Sequence, residues 1–101
     1  MIYIKLIINH LRKGSMAKLI IDVREPIEFK ISHVKGAVNL PLSKLSREHD
    51  LLTQTPKDTE IILYCHSGNR SHQAMMFFQS LGFTNLKNGI NKRHTEANHL
   101  S

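Results

Sequence analysis

The sequence predicts an α/β fold built on a mostly parallel sheet. Two short aliphatic runs without polar alternation, Lys18–Val23 and Glu60–Cys65, have the composition of strands that are buried on both faces. Stretches with apolar residues at helical spacing lie before, between and after these runs, and short loops join them. Strands that alternate with helices in this way indicate helices packed on the faces of a parallel sheet.

The helices in the first half of the chain are predicted from spacing and from residues that begin or end helices. Lys5–Lys13 predicts a helix because its apolar residues recur four positions apart and Gly14 follows as a stop. Pro26 favours the first position of a short helix that carries Phe29. Ser43 or Ser46 is expected to cap the next helix.

The second half of the chain continues the alternation. The helix capped by one of the two serines reaches Leu51 and Leu52 and ends before Pro56. An apolar stripe predicts a longer helix over Ser71–Leu81, closed by the glycine that follows it. Phe83–Lys87 is interpreted as one more short strand.

Length and composition limit the classes of protein. The chain has 101 residues, 41% of them hydrophobic and 22% charged, which is typical of one globular domain. No apolar run approaches the ~20 residues that cross a bilayer, and residues 2–8 are interrupted by Lys5 and make a poor signal peptide. Cys65 is the only cysteine, so an internal disulfide is excluded. We expect a soluble, cytoplasmic protein without a membrane partner.

The net charge of +6 lies at the two ends of the chain. Residues 1–18 and 87–101 carry the basic excess, whereas residues 19–86 are neutral. The chain has no tryptophan, and its phenylalanines fit the core better than a base-stacking surface. This distribution disfavours nucleic-acid binding and remains compatible with a small anion or an acidic partner protein.

The segment after the second predicted strand, Cys65–Ser71, combines a thiol, a glycine and an arginine. Gly68 permits a tight turn, and the amide N–H groups of such a loop converge on an anion at the start of a helix five or six residues beyond the cysteine. A cysteine placed there has a lowered thiol pKa and is a good nucleophile. Arg70 adds a positive charge at the rim. Cys65 alone would fit a buried core residue, but the whole segment indicates catalysis.

This segment, Cys-His-Ser-Gly-Asn-Arg-Ser, resembles the active-site loop of rhodanese-type sulfurtransferases. Leu19–Phe29 is similar to the family's strand with its Asp-Val-Arg-Glu signature. Ser32–Pro41 is similar to the family's Gly-His-Ile-x-Gly-Ala-x-Asn-Ile-Pro segment, with serine in place of the first glycine. Leu81–Leu86 matches the stretch that usually follows the active-site helix. The resemblance covers residues 2–90 in the expected order.

The resemblance implies a single rhodanese-like three-layer α/β/α domain over residues 1–101, with a central mostly parallel sheet of about five short strands. Its core would span residues 2–90. The family often has Gly-Gly and then a helix with an aromatic residue, where this chain has Asn88-Gly89-Ile90 and a polar tail over residues 91–101. That tail is expected to be frayed or differently packed.

The resemblance also implies a two-step sulfur transfer that needs no cofactor. Cys65 would take the outer sulfur of thiosulfate, or of a persulfide donor protein, and carry it as a persulfide. The amides of residues 66–70 would hold the persulfide charge, and Arg70 would steer and hold the anionic donor. A thiophilic acceptor, such as a thiol in the cell, would then remove the sulfur.

The residues assigned to the anion cradle are His66, Ser67, Gly68, Asn69, Arg70 and Ser71. Ser71 is expected either to hydrogen-bond into the loop or to act as a plain helix cap. His66 would either tune the substrate or be only a polar loop residue.

Three residues outside the loop are expected to support it. Asp22 and Arg24 lie at a strand end and would chiefly brace the loops around the site. His33 would make a buried hydrogen bond that fixes the loop before Gly36. The seven histidines lack paired ligand spacing with cysteine or acidic residues, so no metal site is predicted.

Two other functions stay open on the sequence. Related cysteine phosphatases and arsenate reductases place five residues between cysteine and arginine, whereas four separate Cys65 from Arg70, so an enzyme of that kind is disfavoured. A non-catalytic module could use the same surface to bind an acidic partner while Cys65 stays idle.

Overall fold

The computed structural model describes residues 18–100, so the helix predicted over Lys5–Lys13 lies outside the described residues. The strands are β1 (Lys18–Asp22), β2 (Val38–Asn39), β3 (Glu60–Tyr64) and β4 (Leu86–Ile90). They form one parallel sheet in the order β2-β1-β3-β4. The α/β prediction is confirmed, but the described part of the chain contributes four strands to the sheet rather than about five.

β1 and β3 lie in the middle of the sheet because both faces of each strand are aliphatic. Ile21 and Leu63 pack on what we call the first face, and Ile20 and Ile62 pack on the second face. All four side chains are buried, as expected for parallel strands that are covered on both sides.

Within residues 18–100, four α-helices cover the two faces. They are α1 (Pro26–Ile31), α2 (Asp50–Gln54), α3 (Asn69–Ser80) and α4 (Lys92–Asn98). On the first face, α2 and α3 contribute Leu51 and Phe78 to the core. On the second face, Phe29 of α1 packs on the core, and Thr95 of α4 lies against Gly89. The sheet between two helical layers gives the predicted three-layer arrangement.

Two predicted boundaries were wrong for local reasons. The cap of α2 is His49 rather than Ser43 or Ser46, and its Nδ1 accepts from the Leu51 amide at 3.1 Å. The helix begins later than predicted because residues 42–44 first form a short 3-10 turn. The last strand, β4, spans Leu86–Ile90 rather than the predicted Phe83–Lys87. Phe83 instead lies buried in the loop before β4, against Phe78.

The predicted polar tail contains a packed helix. Asn91 caps α4 by accepting from the His94 amide at 2.8 Å, and Lys92 and Glu96 form an ion pair at 3.0 Å. Thr95 is fully buried and donates its hydroxyl to the Gly89 carbonyl at 3.1 Å. A hydroxyl thus anchors this helix to the sheet.

The carboxyl ends of the strands meet at one edge of the sheet. Asp22 is in register with Tyr64, and Tyr64 with Ile90. Binding sites in parallel sheets lie outside this edge, and the segment from Cys65 begins there. Within residues 18–100, no helix has the length and apolar character that a membrane span requires.

Candidate active site

The Cys65 thiol lies directly after β3, on the first face of the sheet, and is 1% exposed. The Gly68 amide donates to Sγ at 3.0 Å, and the Ser71 amide lies 3.4 Å from the same sulfur. α3 begins at Asn69, two residues earlier than predicted, so the segment from Cys65 turns into the helix at once. The sulfur therefore faces amides of the loop and of the first helical turn.

The surroundings of the thiol favour its ionised form. Burial opposes ionisation, but hydrogen bonds from the Ser71 hydroxyl and from the amides of Ser71, Gly68 and Ser67 outweigh it. The pKa of Cys65 is therefore lowered. A free thiol in an apolar core would show the opposite direction, so the loop equips this cysteine for nucleophilic chemistry.

Ser71 lies inside α3 as its third residue, so it is not the helix cap. Its Oγ lies 3.4 Å from Cys65 Sγ, 3.2 Å from the Gly68 carbonyl and 2.7 Å from Asn88 Oδ1. Of its two predicted roles, the hydrogen bond into the loop is the one that the geometry shows.

Asn88 of β4 belongs to the site, although no feature of the sequence indicated a role for it. Its Nδ2 donates to the Gly68 carbonyl at 3.2 Å, and its Oδ1 accepts from the Ile90 amide at 2.9 Å. Ile90 in turn accepts at its carbonyl from the Cys65 amide at 3.1 Å. Asn88 thereby ties the end of β4 to the loop that holds the sulfur.

Arg70, which is expected to steer and hold the anionic donor, is paired with a carboxylate in the structure. Both terminal nitrogens donate to Glu28 of α1, at 2.8 and 3.0 Å, and both side chains are about one-third exposed. The pairing with Arg70 lowers the pKa of Glu28 to about 2, so this carboxylate stays charged under ordinary conditions. An anionic donor therefore meets an arginine whose charge is already paired.

Replacing Glu28 by glutamine is expected to strengthen the binding of sulfate or thiosulfate. An ion pair this exposed contributes at most ~1 kcal/mol, which corresponds to about fivefold in the dissociation constant. Titration calorimetry with sulfate at constant ionic strength measures the change. Glu60→Gln is the matched control, since it removes the same charge from an ion pair with Lys87 at the opposite edge of the sheet. Equal affinity in wild type and Glu28→Gln would contradict the competition.

Asp22 and Arg24 form a bidentate pair beside Tyr64 rather than beside the thiol. The Arg24 nitrogens donate to the fully buried Asp22 carboxylate at 2.7–3.1 Å, and Nη2 also donates to the Ser32 carbonyl at 2.6 Å. Asn39 donates to the carbonyls of Asp22 and Arg24, both at 2.9 Å. These contacts brace the loop after α1, in agreement with the supporting role expected of them.

Most of the other residues predicted to belong to the site or to support it lie at the surface. His33 makes its hydrogen bond to the Phe29 carbonyl at 2.7 Å and stacks on the Phe29 ring, but it is exposed, so the expectation of a buried bond was wrong. His66, Ser67 and Asn69 are also exposed, whereas Gly68 is buried. In the described part of the chain, no cluster of three or more histidine, cysteine or acidic residues could hold a metal ion.

Comparison with known proteins gives one consistent result. Residues 5–95 match the family described as rhodanese-like domain. Thiosulfate sulfurtransferase PspE of Escherichia coli is 35% identical over 69 residues, which are 67% of this chain and 64% of that protein. Uncharacterized protein YqhL of Bacillus subtilis is 40% identical over 85 residues, 80% of this chain and 64% of that protein. The chain thus spans somewhat less than two thirds of either relative.

The fold gives the same result as the sequence comparison. A solved structure described as a rhodanese with anions from E. coli superposes with a TM-score of 0.68 at 30% identity. The match covers 77% of this chain and 91% of that one.

Proposed function

The chain belongs to the rhodanese-like domain family, and we propose that it is a sulfurtransferase that carries sulfur as a Cys65 persulfide. The observation that carries the proposal is the buried Cys65 sulfur, which accepts from the Gly68 amide at 3.0 Å and faces the Ser71 amide at 3.4 Å. Converging amides stabilise a thiolate, and they serve equally for a persulfide anion at the same place.

The first step moves one sulfur atom to the enzyme. The Cys65 thiolate attacks the outer sulfur of thiosulfate, a new S–S bond forms, and the old S–S bond breaks with its electron pair leaving on sulfite. The products are a Cys65 persulfide anion and sulfite, so the total charge is conserved. A persulfide donor reacts in the same way and leaves as a thiolate.

The second step returns the enzyme to its thiolate. A thiolate or cyanide attacks the outer sulfur of the persulfide, and the bond to Cys65 breaks with its electron pair on Sγ. The lowered pKa of Cys65 favours this step as well, because a better stabilised thiolate is a better leaving group.

The nature of the donor and the place of action form part of the proposal. PspE is named a thiosulfate sulfurtransferase, which makes thiosulfate the first donor to examine, with protein or low-molecular-weight persulfides beside it. A thiol is the acceptor proposed for the cell. A lone thiol that must stay reduced fits a reducing compartment such as the cytoplasm.

The proposal predicts a gain of one sulfur atom in the intact mass after brief exposure to thiosulfate, and full discharge of that atom by cyanide. Because Cys65 is the only cysteine, every persulfide must lie on it. Cys65→Ser should gain nothing.

Oxidation of methionine by two oxygen atoms gives nearly the same added mass, but it resists cyanide and persists in Cys65→Ser. A second exposure to a protein persulfide separates a thiosulfate enzyme from one restricted to persulfide donors. No cyanide-labile sulfur from either donor would overturn the proposed function and leave a binding module.

A further inference from the structure

The Ser71 hydroxyl has one proton and three groups able to accept it. Asn88 Oδ1 is nearest at 2.7 Å, the ordinary length for an O–H···O bond, and the Gly68 carbonyl and Cys65 Sγ lie at 3.2 and 3.4 Å. Ser71 itself is fully buried. The distances indicate that the Ser71 hydroxyl donates this proton to Asn88 Oδ1, which leaves Ser71 Oγ as an acceptor for the Cys65 thiol.

Two backbone groups fix the orientation of the Asn88 amide. The Ile90 N–H can only donate, and it meets Oδ1 at 2.9 Å; the Gly68 carbonyl can only accept, and it meets Nδ2 at 3.2 Å. A flipped amide would place donor against donor and acceptor against acceptor. The atom that faces Ser71 is therefore an oxygen, and it competes with the sulfur for the hydroxyl proton.

We propose that Asn88 is a positioning residue that controls the Cys65 thiolate through the Ser71 hydroxyl. While Sγ carries a proton, the hydroxyl donates to Asn88. When charge appears on Sγ, the hydroxyl turns to the sulfur and gives up its bond to Asn88. No covalent bond is made or broken, since the proton stays on Ser71 throughout. Asn88 thus makes the thiolate less stable than it would be if the Ser71 hydroxyl could donate to the sulfur without competition.

The charged groups around the thiol constrain how this can be tested. Arg70 on α3 influences the thiolate through its charge and is paired with Glu28 on α1, while Asp22 and Arg24 at the end of β1 are paired with each other. His66 lies exposed beside the thiol. All these groups are unchanged in variants at Asn88 and Ser71, so they contribute equally to each titration.

The inference rests on the proposed role of Cys65 as the nucleophile, and it predicts a specific pattern in the thiol pKa. The pKa is obtained from the rate of alkylation by iodoacetamide as a function of pH. Asn88→Ala frees the hydroxyl and should lower the pKa by ~0.5–1 unit, which is ~3–10-fold more thiolate at pH values well below it. Ser71→Ala should raise the pKa. The double variant should match Ser71→Ala alone, because Asn88 acts only through the hydroxyl.

Asn88→Asp is a control for which the expected change in the thiol pKa has the opposite sign. It also provides a measurement if Asn88→Ala does not fold. It keeps an oxygen toward Ser71 and Ile90 and adds a negative charge, so the thiol pKa should lie above that of wild type. A lowered pKa in Asn88→Asp, or the Asn88→Ala shift persisting without the hydroxyl, would show that Asn88 does not act on the thiol through Ser71 and would overturn the inference. Alkylation reports the thiolate without any sulfur donor, so this result is independent of whether sulfur is transferred.

Discussion

Replacing Gly89 by alanine is expected to lower the free energy of unfolding by ~3 kcal/mol, at the upper end for an overfilled core. Gly89 forms the bulge of β4, since Asn88 pairs with Leu63 and Ile90 with Tyr64. An added Cβ would overlap Thr95 Oγ1 and lie 2.9 Å from Ile62 Cγ2. The helix α4 must then move off the sheet and lose the bond from Thr95 to the Gly89 carbonyl. Thermal unfolding should show a drop of roughly 12–24 °C.

A second substitution identifies the source of that loss. Thr95→Ala removes the oxygen that the new Cβ would overlap, so the double variant should be more stable than the sum of the two single losses predicts. Strict additivity would show that α4 is not what the methyl group displaces. A loss below about 1 kcal/mol for Gly89→Ala alone would show that the bulge has room for a side chain.

The central strands could be predicted from the sequence because their signal is local. β1 and β3 are continuous aliphatic runs, and a run of that length is typical of a strand buried on both faces. β4 has no such signal: of its residues Leu-Lys-Asn-Gly-Ile at an edge of the described sheet, only the glycine is buried, the lysine is exposed and the other three are half-buried. The strand was therefore predicted to begin at the apolar Phe83, although this residue packs in the loop before the strand.

The candidate site likewise has a part that could be predicted from the sequence and a part that could not. The segment from Cys65 to Ser71 is contiguous, so its thiol and its glycine were evident from the sequence, although the helix was predicted to begin at Ser71 and begins at Asn69. Glu28 lies 42 positions from Arg70, and Asn88 lies 17 positions from Ser71. No local pattern connects residues so distant, and an amide side chain in a weak strand gives no sign of chemistry. The tertiary fold alone brings them to the loop.

Gly68→Ala is expected to slow the reaction of Cys65 by at least about tenfold at pH values below the wild-type thiol pKa. Gly68 has φ +96°, a left-handed conformation that costs an alanine ~1–2 kcal/mol. If the loop relaxes, the Gly68 amide leaves the sulfur, which it now meets at 3.0 Å. Losing a hydrogen bond to a charged group costs ~1.5–3 kcal/mol, so the thiol pKa should rise by ~1–2 units. Alkylation as a function of pH and sulfur uptake from thiosulfate measure both effects.

The sign of the pH dependence separates this effect from general damage. A lowered thiol pKa makes wild type reactive down to lower pH than an ordinary cysteine, and its reactivity falls as pH drops through that lowered value. In Gly68→Ala the fall should begin at higher pH, with the reactivity at alkaline pH retained. Gly82→Ala is the matched control, because Gly82 has φ +98° and open space around it, and it should lose stability without moving the profile. The same shift of the pH profile in both variants would show that backbone strain, and not the loss of the Gly68 amide from the sulfur, sets the thiol pKa.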